Sequence, residues 1–293
     1  MVLTWFLLLA FQDAPSFRTD VSVVHVDAEV SSQGHLIEGL QKEDFRVTDN
    51  GKPREILYLG EQEEPLDIIL LFDTSLSMRP VVERVARTSR AALAELRSGD
   101  RVAVMAFSTR IDLIADFTDD LSAVEKTIEE RVLSRPFLPN SPIQRAVDAA
   151  ARHFIQQPKT NRRRAVLVIT DNQGSSRERS AVADFWEADA VLAGLIVSAG
   201  GTQFMLGPCT FETCGMSGIA QQTGGDTLRS ADAGTGFQEM IHRLRRRYSL
   251  LYAMPPGKPG EQRKIKVELT GEAGKRNPHA QIRARSGYTV PRN

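Results

Sequence analysis

Residues 66–77 have the sequence LDIILLFDTSLS, an apolar run that ends in a carboxylate followed by hydroxyl side chains. A nearly continuous apolar run is typical of a central parallel strand that is covered on both faces. Similar runs recur at 102–107, 165–169 and 191–197, and the segments between them repeat apolar residues at helical spacing. This alternation predicts an α/β fold with a doubly wound, mostly parallel sheet and helices on both faces.

The flanks of this unit have the two-residue period of β-strands. Residues 24–30 alternate apolar and polar side chains, which predicts a strand with one buried face. The sequence DNG at 49–51 predicts a tight turn that leads the chain into a return strand at Ile56 and Leu57. Alternation returns at 264–269, near the other end of the chain. We therefore expect the two flanks to pair into one small β domain.

The chain is long and apolar enough to bury a substantial core, with 293 residues of which 41% are hydrophobic and 25% charged. A polar breaker, EQEEP at 61–65, separates the first flank from the α/β unit. The predicted parts of the chain are a possible signal peptide at 1–16, an N-terminal β segment at 17–62, an α/β domain at 63–247 and a C-terminal β segment at 248–293.

Charge and hydropathy restrict the partners and the location. Lys plus Arg and Asp plus Glu both total 37, so the chain has no general attraction to nucleic acid or to an anionic membrane. The apolar start, MVLTWFLLLAF at 1–11, is too short to span a bilayer and has the length of a signal-peptide core. We expect a secreted, periplasmic or other cell-envelope protein without a transmembrane span. The alternative is a buried first segment.

The two cysteines, Cys209 and Cys214, lie close together among turn-forming residues. An exported protein would permit a disulfide between them, and the alternative is a pair of unlinked thiols. Two cysteines without a nearby histidine do not suffice for a structural zinc site.

Hydroxyl and carboxyl groups follow two of the predicted strands. Asp73, Ser75 and Ser77 come directly after the first, Asp171 follows the strand at 165–169, and Ser141 lies just before a predicted helix. Ligands of open parallel sheets bind at the carboxyl ends of the strands. Hard oxygen donors with few carboxylates suit Mg²⁺, with Mn²⁺ or Ca²⁺ as alternatives.

This pattern resembles the metal-ion-dependent adhesion site of von Willebrand factor A (VWFA) domains, and the resemblance extends over residues 66–247. The flanks are similar to those of a bacterial group of secreted VWFA-related proteins. The similar stretches are FRTDV at 17–21, GL at 39–40, DF at 44–45, NGK at 50–52 and SGY at 286–288.

The resemblance implies a role for each of the five site residues. Ser75 and Ser77 would bind the metal directly, and Ser141, where the family usually has Thr, would bind it directly or through water. Asp73 and Asp171 would act mainly through bound waters. An acidic side chain of a protein partner would then take the open metal position, which makes the chain a binding module and not an enzyme.

Two other functions stay open. The first is a metal-free VWFA scaffold in an envelope complex, in which the same hydroxyls cap helices and turns. The second is a phosphatase-like or other metal-dependent hydrolase that uses Asp73 or a metal-bound water as nucleophile. Haloacid-dehalogenase-type enzymes need a second Asp two residues later, and Ser75 occupies that position. No nucleophile elbow or glycine-rich phosphate loop follows a predicted strand.

Two arginine clusters, RRR at 162–164 and RLRRR at 243–247, flank predicted elements. We expect both in solvent, the second at a helix end where the dipole favours cations. The alternative for the second is a surface patch that binds an acidic partner.

Overall fold

The computed structural model describes residues 22–61, 64–158, 160–172, 181–197 and 216–291. The predicted signal peptide and the pair Cys209 and Cys214 lie outside these residues. The strands are β1 (Val23–Ser32), β2 (His35–Leu36), β3 (Phe45–Asp49), β4 (Lys52–Arg54), β5 (Ile56–Glu61), β6 (Leu66–Asp73), β7 (Arg101–Phe107), β8 (Ile111–Thr118), β9 (Arg163–Thr170), β10 (Ala190–Val197), β11 (Thr227–Ser230), β12 (Tyr248–Ala253), β13 (Gln262–Leu269), β14 (Gln281–Ala284) and β15 (Gly287–Thr289). The helices are α1 (Arg79–Leu93), α2 (Leu121–Lys126), α3 (Ile143–Gln156), α4 (Val182–Ala188), α5 (Met216–Thr223), α6 (Ala233–Arg245) and α7 (Gly271–Arg276).

The central sheet of the described chain has the strand order β11-β10-β9-β6-β7-β8. All neighbours pair in parallel except β8, which runs antiparallel to β7 at the edge. The apolar runs that predicted central strands belong to β6, β7, β9 and β10, whose residues are all buried except Arg101 at the start of β7. The predicted α/β fold with a mostly parallel sheet is therefore confirmed. The chain order reverses between β6 and β9, and a crevice is expected at the carboxyl ends of these two strands.

Helices cover both faces of this sheet. One face packs against α1, α2 and α6 through buried residues such as Val85, Val124 and Phe237. The other face packs against α3, α4 and α5 through residues such as Val147 and Phe185. Each helix directs an apolar stripe toward the sheet, as its sequence period predicts.

The flanks of the chain share two antiparallel sheets. In the first, β1 pairs with β12 and β14, and β12 pairs with β5. In the second, β13 pairs with β3 and β15, and β3 pairs with β4. A separate apolar core lies in this part, with Val26, Val47, Leu250 and Tyr252 fully buried. Strands from before and after the α/β unit therefore form one β domain.

The turn at Asn50-Gly51 forms as predicted, but its return strand is different. Both residues have positive φ, 47° and 76°, as a two-residue hairpin turn requires. The turn joins β3 to Lys52–Arg54, whereas Ile56 begins the strand that pairs with β12 in the other sheet. The predicted pairing of Ile56 and Leu57 was wrong because the chain leaves the hairpin after three residues. The short helix α7 had no counterpart in the sequence prediction.

Strand β1 is buried on both faces, whereas its alternating sequence predicted one exposed face. Asp27 and Glu29 are only 8% and 2% exposed. The expectation that the arginine clusters lie in solvent was also wrong for Arg163, Arg164, Arg245 and Arg247, which are all buried. Of these, Arg163 and Arg247 meet Asp27 and Glu29 at the junction of the α/β and β domains.

We call Asp27, Glu29, Arg163 and Arg247 the arginine clasp. Arg163 Nε donates to Asp27 Oδ2 at 2.9 Å, and Arg247 Nε donates to Asp27 Oδ1 at 2.5 Å. Arg247 Nη1 lies 3.6 Å from Glu29 Oε2. Arg163 Nη2 also donates to the carbonyl of Leu244 at 2.6 Å, near the end of α6. Buried charges persist when they are paired and hydrogen-bonded, and the clasp meets both conditions.

Candidate metal site

Asp73, the last residue of β6, is fully buried at the crevice between β6 and β9. Its Oδ1 accepts a hydrogen bond from the backbone N–H of Ser75 at 2.8 Å. Its Oδ2 accepts from the hydroxyls of Ser141 and Thr170, both at 2.7 Å. One carboxylate therefore joins three segments that are distant in sequence.

The other predicted site residues belong to the same cluster. Ser77 Oγ donates to Asp171 Oδ2 at 2.6 Å, and Ser75 Oγ lies 3.4 Å from Ser77 Oγ. Asp171 and Ser75 are buried, whereas Ser77 is exposed. The structure thus brings Asp73, Ser75, Ser77, Ser141 and Asp171 together, with Ser77 at the opening to solvent.

Backbone hydrogen bonds hold the loop after β6 in place. The backbone N–H of Thr74 and its hydroxyl both donate to the carbonyl of Phe107 on β7, at 2.7 and 3.0 Å. The N–H of Leu138 donates to the carbonyl of Thr74 at 3.1 Å, which aligns the segment leading to Ser141. The N–H of Met78 donates to the carbonyl of Ser75 at 2.9 Å and starts the turn into α1. The hydroxyls are therefore positioned by main-chain contacts.

Asn172 supports the carboxyl end of β9 by its backbone conformation. Its φ of 58° lies in the left-handed region, which Asn adopts more readily than most residues. Its backbone N–H donates to the hydroxyl of Thr170 at 3.0 Å. Thr170 in turn donates to Asp73, so this threonine connects the turn to the cluster. Sequence reasoning missed Thr170, although its place as the last residue of a buried strand was a usable signal.

The carboxylate of Asp73 has no cation beside it in the part of the chain that the structure describes. Burial raises the pKa of Asp73, although hydrogen bonds from Thr170, Ser141 and Ser75 oppose that shift. Within the described part of the chain, Asp73 forms no ion pair, and its partners are neutral donors. A divalent cation would supply the missing charge, and hydroxyl and carboxylate oxygens are donors that Mg²⁺ accepts.

The donor set also restricts the kind of metal. Among the described residues, no group of three or more His, Cys, Asp or Glu side chains is placed to hold a metal ion. A cation in this crevice would therefore depend on the serine hydroxyls, which are hard ligands unsuited to soft metals. The residues present fit the Mg²⁺ site that the sequence predicts.

One family model matches part of the chain. Residues 68–174, which contain all five candidate site residues, match the family model of the von Willebrand factor type A domain. No curated protein matches the chain. No helix in the described ranges is long and apolar enough to cross a membrane.

Several solved structures are similar in fold. An aerotolerance-related membrane protein from Bacteroides fragilis is 19% identical, with 61% of this chain and 98% of that chain covered and a TM-score of 0.45. The conserved hypothetical protein BatB from Bacteroides thetaiotaomicron is 21% identical, with 61% and 98% covered and a TM-score of 0.43. A von Willebrand factor type A protein from Catenulispora acidiphila is 12% identical, with 94% and 75% covered and a TM-score of 0.47.

Proposed function

Because this chain contains a von Willebrand factor type A domain, a family of protein-interaction modules, we propose that it captures a protein partner through a bound divalent metal ion. The observation that carries the proposal is the position of Asp73. It is buried, it has no cationic partner among the described residues, and it holds hydroxyl groups from two other segments. This arrangement places oxygen donors around one point at the carboxyl edge of the sheet.

Each residue has a proposed part in this capture. Ser75 and Ser77 would hold the ion directly, and Ser141 would do so directly or through water. Asp73 and Asp171 would orient these hydroxyls and the bound waters, since both carboxylates already accept hydrogen bonds from them. A bound Mg²⁺ would keep one position for a carboxylate oxygen of the partner.

The rim of the site adds an apolar contact. Leu76, between the two serines, has 61% of its surface exposed. We infer that the partner presents an acidic residue next to an apolar one, so that the carboxylate reaches the metal while the apolar side chain covers Leu76.

One observation favours the metal-free scaffold as a second candidate. The hydroxyls of Ser77, Ser141 and Thr170 already donate to carboxylates, so the cluster holds itself together without an ion. A hydrolase that uses Asp73 as its nucleophile is disfavoured, because this side chain has no exposed surface from which to attack a substrate. Hydrolysis of a generic phosphate ester with Mg²⁺, lost in Asp73→Asn, would contradict this.

Calorimetric titration of Mg²⁺ and Mn²⁺ separates the first two candidates. We expect binding to the wild type and to Ser134→Ala, which removes an exposed hydroxyl that donates to the carbonyl of Arg131. We expect none with the Ser75→Ala/Ser77→Ala double variant, at an unchanged unfolding temperature. The titration is repeated with acetate in excess, as a substitute for the carboxylate of the partner. No binding under either condition would leave the metal-free scaffold.

The partner and the location are tested on protein from its native host. Immobilised wild type should retain a partner in Mg²⁺ and release it on chelation, and the double variant should retain none. We place the chain outside the cytoplasm, on the evidence of its apolar first residues. Cytosolic protein that keeps residues 1–11 would contradict export.

A further inference from the structure

A cavity of about 610 Å³ lies between the α/β domain and the β domain, a size that suits a small organic ligand. It is at the amino ends of β9 and β10, where Arg164 and Asp189 are among its lining residues. Thr170, at the candidate metal site, is six residues further along β9, which corresponds to about 20 Å. The cavity is therefore distinct from the candidate metal site.

Most of the cationic groups that line this cavity have a carboxylate partner. Arg162 Nε donates to Asp67 Oδ1 at 2.6 Å. Arg285 pairs with Asp189, and His25 Nδ1 lies 3.2 Å from the same carboxylate. Each of these three side chains therefore already has a carboxylate partner within the protein.

Arg164 differs from them. It is only 6% exposed, and no carboxylate of the described residues lies within ion-pair distance of its guanidinium. Nη1 donates to the carbonyls of Phe154 and Ala188 at 3.3 and 3.1 Å, and Nη2 donates to the carbonyl of Pro158 at 2.7 Å. These bonds use three of the five N–H donors of the group. Burial lowers the pKa of Arg164, although the charges of Asp189 and Asp67 oppose that shift.

We propose that this cavity binds a small organic monocarboxylate, whose anionic group pairs with Arg164. The planar guanidinium matches a carboxylate in shape and forms short, charge-assisted hydrogen bonds with it. A monoanion fits better than a phosphate dianion, because Arg164 offers one uncompensated charge and the carboxylates of Asp189 and Glu187 also line the cavity.

The opposite walls suit an apolar body. Trp186, Met254 and Val290 line the cavity, and the indole N–H of Trp186 already donates to the carbonyl of Gln222 at 3.2 Å. The N–H group is thus occupied within the protein, so that Trp186 would meet a ligand through apolar contacts. Both domains contribute to these walls, so the ligand would contact them both.

The test uses a panel of aromatic and aliphatic monocarboxylates, with benzoate as the first probe and benzamide as its neutral match. Titrations are made in the Ser75→Ala/Ser77→Ala background without added metal, so that a carboxylate bound at the candidate metal site cannot contribute. We expect benzoate or another carboxylate of the panel to bind and to raise the unfolding temperature, and the matching amide to do neither.

Three variants locate the binding. Ala183→Trp, at an exposed position of α4 that lines the cavity, should fill it and weaken binding by about tenfold or more. Ala91→Trp, at an exposed position of α1 away from the cavity, should leave binding unchanged. Arg164→Gln should abolish binding where it folds. The proposal is overturned if no carboxylate of the panel binds, if amides bind equally well, or if Ala183→Trp binds as tightly as Ala91→Trp.

Discussion

The two ends of β9 differ in whether a cation lies beside a buried aspartate. At its amino end, Arg163 meets the carboxylate of Asp27 within the arginine clasp. At its carboxyl end, Thr170 donates a neutral hydrogen bond to the carboxylate of Asp73. Asp27 and Asp73 are both buried aspartates next to the same strand, and they differ in whether a cation lies beside them.

The pKa values of these two aspartates shift in opposite directions. Burial by itself raises the pKa of a carboxyl group. For Asp27 the charges of Arg163 and Arg247 outweigh burial, and the pKa is lowered. For Asp73 burial outweighs the hydrogen bonds from hydroxyls, and the pKa is raised. The clasp at the amino end thus pairs its buried charges and joins two domains, whereas at the carboxyl end Asp73 has no cation beside it among the described residues.

Removing the charge of Asp27 should have the largest effect on stability. Asp27→Asn leaves two buried guanidinium groups without their shared partner, and breaking such a buried pair costs about 3–5 kcal/mol. We expect the free energy of unfolding, measured in urea, to fall by that amount. The control is Arg90→Gln, which removes an exposed ion pair with Glu125 and should cost less than about 1 kcal/mol. Equal losses in both variants would show that the clasp does not stabilise the fold.

The pH dependence of unfolding sharpens this test. Because the pKa of Asp27 is lower in the folded state, its stabilising contribution is complete above the ordinary value of 3.8. That contribution is lost as the pH falls through the lowered folded value. The wild type should therefore lose more stability below pH 3.8 than Asp27→Asn does. Parallel curves for the two proteins would contradict the assignment.

At the other end of β9, the same substitution should act in the opposite direction. Asp73→Asn removes a buried charge that has no cation, and an amide can still exchange hydrogen bonds with Ser141 and Thr170. We expect it to lose Mg²⁺ binding by calorimetry while the metal-free unfolding temperature stays equal or rises. Asp120→Asn, at the exposed start of α2, should change neither property. A large metal-free destabilisation by Asp73→Asn would mean that the carboxylate is primarily structural.

The sequence predicts the carboxyl end of the sheet better than the amino end. Asp73, Ser75 and Ser77 follow a buried strand directly, and the ends of parallel strands meet at one edge, so local pattern and topology suffice to bring them near Asp171. Their metal-binding role stays a prediction. Thr170 was missed because a threonine inside a strand pattern is consistent with packing alone.

The arginine clasp could not be predicted in this way. Arg163 and its partner Asp27 are 136 residues apart, in different domains. Nothing in the local sequence distinguishes a buried arginine at a strand start from a solvated one. The alternation in β1 was equally ambiguous, because Asp27 and Glu29 are polar whether water or guanidinium groups face them. Whether these side chains are buried or exposed depends on how the two domains pack against each other.

The smallest expected effect concerns Ser141, whose hydroxyl links Asp73 to the start of α3. Ser141→Thr keeps that hydroxyl and restricts its rotamers, since a β-branched side chain is stiff at χ1. Residue 141 is half-buried, so part of its surface faces solvent. We expect Mg²⁺ affinity to rise severalfold by calorimetry, and Ser141→Ala to weaken it. If threonine weakens binding as alanine does, the hydroxyl is not a limiting part of the site. A gain without any change in metal-free stability would instead show that the carboxyl end can be made a better cation site while the clasp at the other end of β9 stays intact.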